Sequence, residues 1–314
     1  MNRPAKMGLL SAATLLTLPM LSAPTFTTPT LAASARAGAC SSVQMEQLHS
    51  LQGELDKLAI GKQAGRAQYW YVDPDQCKIS VAVLGGADDV ATRQFVTTAT
   101  TTPGLAAVTE IGQAVSSWVA KVPAPEAARS SHLAGTYYGG SAIYSGTSGT
   151  VYECTSGFNN YHPGTATTAG HCGAAASTWY DGHGAQLGTV SSYKFPGADW
   201  AVIQPTSGWT LSNYVEVNGG ELNIYGFSQP QLNQPVCGTG ATTGQQCGKV
   251  IATNVTVNYP DGAVTGLAES SQSGNGGDSG GPVYQGPTGP NGVGLISGGP
   301  AGGGSPTFFQ PLNF

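Results

Sequence analysis

A serine, a histidine and an aspartate stand in settings that suit nucleophilic chemistry. Ser279 lies in the run Gly277-Asp278-Ser279-Gly280-Gly281. A serine hydroxyl is a poor nucleophile at neutral pH unless a base accepts its proton and a third group orients that base. His171, directly before Cys172, is the candidate general base. Asp199, just before an apolar run, is the candidate orienting acid, so the three residues predict acyl transfer.

The glycines around the serine have a part in the same chemistry. Without side chains nearby, the backbone N–H groups of Gly277 and Ser279 can converge on a developing oxyanion. Each motif alone has a plainer interpretation, namely a flexible loop, a structural histidine or a turn aspartate. Their chain order, His171 then Asp199 then Ser279, is that of the chymotrypsin class and not of α/β-hydrolases or subtilisins. The agreement of all three contexts favours catalysis.

The amino terminus has the layout of an export signal. A short basic segment precedes an apolar run from Met7 to Leu21, and small residues follow up to Ala39. We expect residues 1–37 to be a signal peptide and the protein to be secreted, with an extracellular location. A retained membrane anchor is the weaker alternative, because the run contains Pro19 and is shorter than the about 20 residues that span a bilayer.

The cysteines favour disulfides over metal ligation. All six follow the apolar run, and none forms a Cys-x-x-Cys pair, which suits an oxidising compartment. We expect no metal and no cofactor. Many pairings are open, and nearness in sequence favours three of them: Cys40 with Cys77, Cys154 with Cys172, and Cys237 with Cys247.

Composition divides the chain into two regions. Only 9% of the residues are charged, whereas 46 are glycine and 20 are proline, a balance typical of short strands and tight turns. The net charge of -5 and the lack of a Lys/Arg cluster argue against a nucleic-acid partner. Ten of the twelve Lys and Arg residues lie at or before Arg129. The part of the chain after Arg129 is therefore much poorer in Lys and Arg, which indicates a second structural unit.

The first region predicts a small α+β unit. Apolar residues at helical spacing predict an amphipathic helix over 43–60, and a second helix is predicted from Val90 to Ala99. Two strands around a turn are predicted over 69–76 and 79–83. The Pro/Ala-rich stretch 122–129 is interpreted as an exposed linker. From Tyr137 onward, short apolar alternations separated by glycine, with scarcely a helical stretch, predict an all-β fold.

Several segments together resemble the bacterial branch of the chymotrypsin family, the streptogrisins and α-lytic protease. The resemblance implies two antiparallel six-stranded β-barrels with the triad in the cleft between them. It also implies a serine endopeptidase that hydrolyses proteins or peptides through an acyl-enzyme, as a monomer without a membrane partner. The matching segments are Thr168–Cys172, Val236–Cys237, Thr242–Gly248, Gly294–Gly299 and Thr307–Pro311.

The resemblance extends to the first region. Trp70-Tyr71-Val72-Asp73-Pro74 and the following strand resemble the pro-region of these enzymes. Residues 38–133 are therefore expected to act as a folding aid and inhibitor of the peptidase. Residues 134–314 are expected to form the peptidase domain, with the mature enzyme starting near Ala134 to Gly139.

The resemblance also implies where substrate lies. Ser297-Gly298-Gly299 would pair with an extended substrate backbone, which gives affinity without reading side chains. The specificity pocket would contain neither an aspartate for Lys/Arg nor a histidine for Glu, so we expect apolar residues before the scissile bond. The expected substrate-binding residues are Ser273, Gly274, Ile296, Ser297, Gly298 and Gly299.

The chain departs from the family beside the nucleophile. Relatives have a cysteine where Ser273 stands, so a disulfide that braces the pocket is missing. They also have an arginine where Gly238 stands, which would pair with Asp278. Here the carboxylate needs neutral donors, another cation such as Lys194 or Lys249, or a proton. Uptake of a proton would suit an acid-tolerant enzyme.

Two other functions remain open at this point. A catalytically silent peptide-binding homologue would keep the cleft without turnover. A secreted esterase could use the same triad on esters. The intact triad favours catalysis, and the strand-pairing segment at Ser297 favours peptides over esters.

Overall fold

A computed structural model describes residues 40–86, 89–125 and 135–314. The predicted signal peptide and half of the predicted linker, residues 126–129, lie outside these residues, as does the earliest expected start of the mature enzyme at Ala134. Within the described part of the chain, no helix is long and apolar enough to cross a membrane.

The first region is an α+β unit, and both predicted helices and the predicted strand pair are confirmed. A third strand, β3, was not predicted; it pairs in parallel with β2 after a crossover through the second helix. The elements are α1 (Ser42–Ile60), β1 (Ala67–Asp73), β2 (Lys78–Leu84), α2 (Val90–Thr100), β3 (Ala106–Ile111), β4 (Val115–Ser117) and β5 (Ala120–Pro123).

Local sequence explains these elements. Helix α1 begins after Ser41, whose side chain accepts from the Gln44 N–H while the Gln44 side chain accepts from the Ser41 N–H, a reciprocal capping box. Its apolar face buries Leu48 and Leu55 in a core that includes Trp70 of β1. Burial of such large side chains stabilises the unit by roughly 1.5–3 kcal/mol each.

Among the described residues of the second region, the regular elements are strands, as predicted, apart from one short helix, α3, which carries His171. The first half contains β6 (Thr136–Gly139), β7 (Ala142–Tyr144), β8 (Thr150–Thr155), β9 (Ala166–Thr168), α3 (Gly170–Ala175), β10 (Thr178–Tyr180), β11 (Gln186–Lys194), β12 (Trp200–Pro205), β13 (Thr210–Val217) and β14 (Gly220–Asn223). The second half contains β15 (Gly226–Phe227), β16 (Pro235–Gly240), β17 (Gly244–Tyr259), β18 (Gly262–Ser270), β19 (Pro282–Gln285), β20 (Asn291–Pro300) and β21 (Thr307–Pro311).

The strands form three sheets, and the first region extends two of them. An eleven-stranded sheet has the order β16-β19-β20-β21-β18-β17-β1-β2-β3, with β15 and β4 also paired to β20. A seven-stranded sheet has the order β5-β8-β7-β10-β11-β12-β9, and a three-stranded sheet has the order β14-β13-β6. The strands of the two halves of the second region therefore lie in different sheets, which is consistent with the predicted chymotrypsin-like fold.

The predicted linker needs a correction. Its first residues, Val122 and Pro123, belong to β5 and pair with Val151 and Thr150 of β8. The Pro/Ala-rich composition suggested an irregular segment, but pairing with β8 satisfies backbone groups that a free linker would leave to water.

All three predicted disulfides are present. One joins α3 to β8, a second joins β16 to β17, and the third closes the first region between its amino terminus and the β1–β2 turn. The pairs are Cys154–Cys172, Cys237–Cys247 and Cys40–Cys77.

Candidate active site

The structure brings the three predicted catalytic residues together. The His171 Nε2 atom lies 2.7 Å from Ser279 Oγ, and its Nδ1 atom lies 2.9 Å from Asp199 Oδ2. All three side chains are buried. Because an ionised carboxylate can only accept, Nδ1 carries the proton and Nε2 faces the serine hydroxyl as the acceptor. This is the tautomer that a general base for Ser279 requires.

Helix α3 fixes the base. His171 lies in its first turn, and the His171 N–H donates to Asp199 Oδ1 at 2.9 Å. Cys172 ties the same turn to β8 through Cys154. A side chain at Gly170 would overlap the backbone of Lys194 and Trp200. The glycine before His171 is therefore needed for the helix to approach β12 closely.

Three further residues hold Asp199, and sequence reasoning missed their role. Ser297 Oγ donates to Asp199 Oδ2 at 2.5 Å, and Tyr259 OH lies 3.0 Å from Ser297 Oγ. The Asp199 N–H donates to Gln310 Oε1 at 2.8 Å. Ser297 was expected only to pair with substrate through its backbone. Tyr259 carries no motif, so its position depends on the fold.

The nucleophile loop depends on glycine at two positions. Gly277 and Gly280 have φ values of +98° and +86°, a region that side chains rarely adopt. A side chain at Gly280 would also overlap Thr168 and Ala169. These glycines let the loop place Ser279 against His171 without strain.

Asp278, the residue before the nucleophile, is held by neutral donors. Thr243 Oγ1 donates to Oδ2 at 2.8 Å, and the Thr242 and Thr243 N–H groups donate to Oδ1 at 2.9 and 3.0 Å. The Asn275 N–H donates to Oδ2 at 2.7 Å. Burial raises the pKa of Asp278, and these hydrogen bonds oppose that rise. Of the three alternatives, neutral donors are the one that the structure provides.

The cleft is filled by the first region. Strand β4 runs antiparallel to β20, with Ser117 opposite Gly298. The next residue, Trp118, donates its N–H to Ser297 O at 3.3 Å. Its carbonyl oxygen accepts from the Gly277 N–H at 2.5 Å. The N–H group expected to stabilise an oxyanion therefore already holds a peptide carbonyl.

The Trp118 side chain fills the expected specificity pocket. Its exposed fraction is 1%, and its ring lies so close to Gly274 and Gly299 that a side chain at either position would overlap it. The Trp118 Nε1 group donates to Pro300 O at 2.9 Å, and Ile296 packs in the same apolar cluster. Ser273, also predicted to contact substrate, is exposed.

A backbone pair braces the pocket in place of the missing disulfide. The Gly274 N–H donates to Gly304 O at 3.0 Å, and the Gly304 N–H donates to Gly274 O at 2.8 Å. These two bonds join the loop after Ser273 to the loop after Gly299, where the family disulfide would lie. The pocket walls are thus held without a covalent bond.

Comparison with known proteins agrees with this geometry. No protein-family model matches the chain. The chain is 31% identical to streptogrisin-A of Streptomyces griseus over 248 residues, which cover 76% of this chain and 78% of that protein. The chain belongs to the streptogrisin family of chymotrypsin-like serine endopeptidases. The predicted family, fold class and enzyme class are therefore confirmed.

Other relatives cover different parts of the chain. Serine protease 2 of Streptomyces fradiae is 39% identical over 168 residues, which cover 51% of this chain and 93% of that protein. Streptogrisin-C of Streptomyces griseus is 30% identical over 275 residues and 86% of this chain. The chain spans only 54% of streptogrisin-C. The solved structure of a glutamic acid-specific serine protease matches with a TM-score of 0.51 and 31% identity, over 56% of this chain and 94% of that one.

Proposed function

We propose that this streptogrisin-family protein is a secreted endopeptidase that acylates on Ser279 and prefers a large apolar residue before the scissile bond. One observation carries the proposal. The Gly277 N–H donates to the carbonyl oxygen of Trp118 beside the Ser279–His171 pair, while the Trp118 side chain fills the expected specificity pocket. The three disulfides and the signal-like amino terminus support export.

Each triad member has one role in the proposed reaction. Ser279 Oγ attacks the substrate carbonyl carbon, and His171 Nε2 takes the hydroxyl proton. The N–H groups of Gly277 and Ser279 stabilise the oxyanion, while Asp199 stabilises the imidazolium. His171 then protonates the leaving amine. A water molecule then attacks the ester carbonyl carbon with His171 as the base, which releases the carboxylate product and restores Ser279.

The pocket supports selection of apolar residues. The two glycines beside the Trp118 ring leave space for a large ring, and none of the six positions assigned to substrate binding carries a charge or an imidazole. The glutamic acid-specific relative is described as binding substrate with a histidine triad. A glutamate or arginine in this pocket would be buried without a charged partner, at a cost of several kcal/mol.

The first region supports a second role, as an inhibitor of the same chain. Strand β4 pairs with the part of β20 that a substrate would pair with. Strand β1 pairs with β17 through Tyr69 and Trp70. A segment that fills the cleft excludes other peptides. We assign this role, and assistance in folding, to the region predicted as residues 38–133.

Labelling and hydrolysis together test the catalytic proposal. The secreted protein is treated with a fluorophosphonate and with peptide p-nitroanilides that carry Phe, Leu, Glu or Arg before the scissile bond. We expect labelling that Ser279→Ala abolishes, and a kcat/KM for Phe about 100-fold above those for Glu and Arg. Ser192→Ala, which changes an exposed serine on β11, is the matched control.

Three outcomes would contradict the proposal. Strong preference for Glu or Arg before the scissile bond would contradict the proposed apolar specificity. Hydrolysis of esters without peptides indicates the esterase. Peptide binding without labelling or turnover indicates the silent homologue.

A further inference from the structure

One continuous segment of the chain, Val115–Pro123, crosses the active site in an extended form. Strand β4 pairs antiparallel with β20 on one side, and β5 pairs antiparallel with β8 on the other. Only Trp118 and Val119 lie between the two strands. The segment therefore has backbone partners on both sides of a single peptide bond, as a bound substrate of an endopeptidase would.

The bond in question is the one between Trp118 and Val119. The Trp118 carbonyl accepts from the Gly277 N–H, and the Trp118 N–H donates to Ser297 O. Val119 packs against the apolar cluster that contains Cys154 and Cys172, the residue after His171. The Trp118 side of the bond is thus held by the nucleophile loop and β20, and the Val119 side is held by the apolar cluster next to His171.

We propose that Ser279 hydrolyses the Trp118–Val119 bond of its own chain, so that the catalytic chain begins at Val119. This inference rests on the proposed endopeptidase function. The Ser279 Oγ–carbonyl bond forms as His171 takes the hydroxyl proton, and the C–N bond breaks as Val119 nitrogen receives that proton. Water then cleaves the ester and leaves a carboxylate on Trp118. One water is consumed, and nothing is oxidised or reduced.

The position differs from the start expected from sequence, near Ala134 to Gly139. Strand β6 (Thr136–Gly139) is paired with β13, and Tyr137 is buried. To reach Ser279, this strand would have to leave its sheet. The segment at Trp118 needs no rearrangement, because it already lies in the cleft.

The cut would leave β5 as the first strand of the catalytic chain. Ala120–Pro123 would stay paired with β8, while β4 would remain on β20 as part of the released region. The two products would therefore stay associated after cleavage. Separation would require loss of the β1–β17 pairing as well.

Fragment analysis of the full secreted chain tests this inference. Mass spectrometry and amino-terminal sequencing should find one fragment that ends at Trp118 and another that begins at Val119. Ser279→Ala should leave this bond intact. Trp118→Phe should retain the cut, whereas Trp118→Asp should slow it about 100-fold, because a carboxylate would be buried in the pocket. Trp209→Phe, which changes a tryptophan that bonds to Gln186, is the control and should cut normally.

A synthetic peptide of residues 112–124 separates recognition from folding of the Trp118→Asp variant. The active enzyme should cleave the peptide after Trp118, and cleavage elsewhere or no cleavage overturns the inference. If the enzyme is labelled and hydrolyses Phe substrates but its chain begins at a residue other than Val119, the inference fails and the proposed function stands. If labelling and all hydrolysis are absent, the proposed function itself has failed.

Discussion

Two buried carboxylates lie within the active site, and they differ in the groups that hold them. Asp199 and Asp278 are both completely buried. Asp199 faces the imidazole of His171, a group that becomes a cation during the reaction, and also receives the Ser297 hydroxyl. Within the described part of the chain, the donors to Asp278 are all neutral and come from Asn275 and from the turn between β16 and β17.

The difference separates a catalytic carboxylate from a structural one. The charge of Asp199 gains a strong partner when His171 takes a proton, so its effect is greatest in the transition state. The charge of Asp278 has the same partners before and during the reaction. Its hydrogen bonds instead tie the nucleophile loop to the β16–β17 turn. Replacement of Asp199 by asparagine should therefore lower turnover, whereas changes in the groups around Asp278 should lower stability.

Asp199→Asn should have the largest effect on activity. An asparagine N–H facing His171 Nδ1 would favour the tautomer with the proton on Nε2, which cannot accept the Ser279 proton. We expect kcat to fall roughly 10³- to 10⁴-fold with little change in KM. Steady-state kinetics on a Phe p-nitroanilide would measure the loss. Asp261→Asn, at an exposed aspartate, is the control, and equal losses in both variants would remove the special role of Asp199.

The sequence predicted the triad because each member lies in a short, local motif. His171, Asp199 and Ser279 are marked by a neighbouring cysteine, a following apolar strand and flanking glycines. The predicted helices, strands and cysteine pairs also depend on local spacing. Neighbours brought in by sheet pairing could not be found this way: Tyr259 reaches Ser297 only because β17 and β20 belong to one sheet.

The role of the segment around Trp118 was missed for a related reason. Val115–Ser117 is too short and too polar to predict a strand, and it becomes one by adding to β20. The donors to Asp278 show the same limit. The missing arginine at Gly238 was visible, but the hydroxyl of Thr243 replaces part of its function only in the folded chain.

Glu269 extends the comparison to a buried carboxylate with fewer partners. It lies on β18. Burial raises the pKa values of Tyr69 and Tyr71 on β1, and the charge of Glu269 adds to both rises. Within the described residues, its Oε2 atom has no hydrogen-bond partner. Burial raises the pKa of Glu269 from 4.5 to about 7. Protonation therefore favours the folded precursor.

The free energy of unfolding of the precursor should depend on this group between about pH 4.5 and 7. A raised pKa means that the folded state binds the proton more tightly, so stability is gained as pH falls through this window and lost as pH rises. The expected difference is on the order of 3 kcal/mol. Denaturant unfolding of the full chain with Ser279→Ala at pH 5 and pH 8 would measure it.

Glu269→Gln should remove most of this pH dependence, because glutamine is neutral at both pH values. Glu221→Gln, at an exposed glutamate, should leave the dependence intact. Persistence of the full difference between pH 5 and pH 8 in Glu269→Gln would show that another group is responsible.

Thr243→Val should have the smallest effect, and it tests whether neutral donors hold Asp278. The variant loses the Thr243 hydroxyl, which lowers the pKa of Asp278, so that pKa should rise further. We expect a stability loss of about 1 kcal/mol at pH 7. The loss should shrink as pH falls through the pKa of the folded group, because a protonated Asp278 no longer needs charge compensation. Thr239→Val removes a buried hydroxyl bonded to neutral Tyr284. Its stability loss should be similar at pH 7 and at lower pH. A loss in Thr243→Val that is equally independent of pH would mean that packing, not charge, explains the role of Thr243.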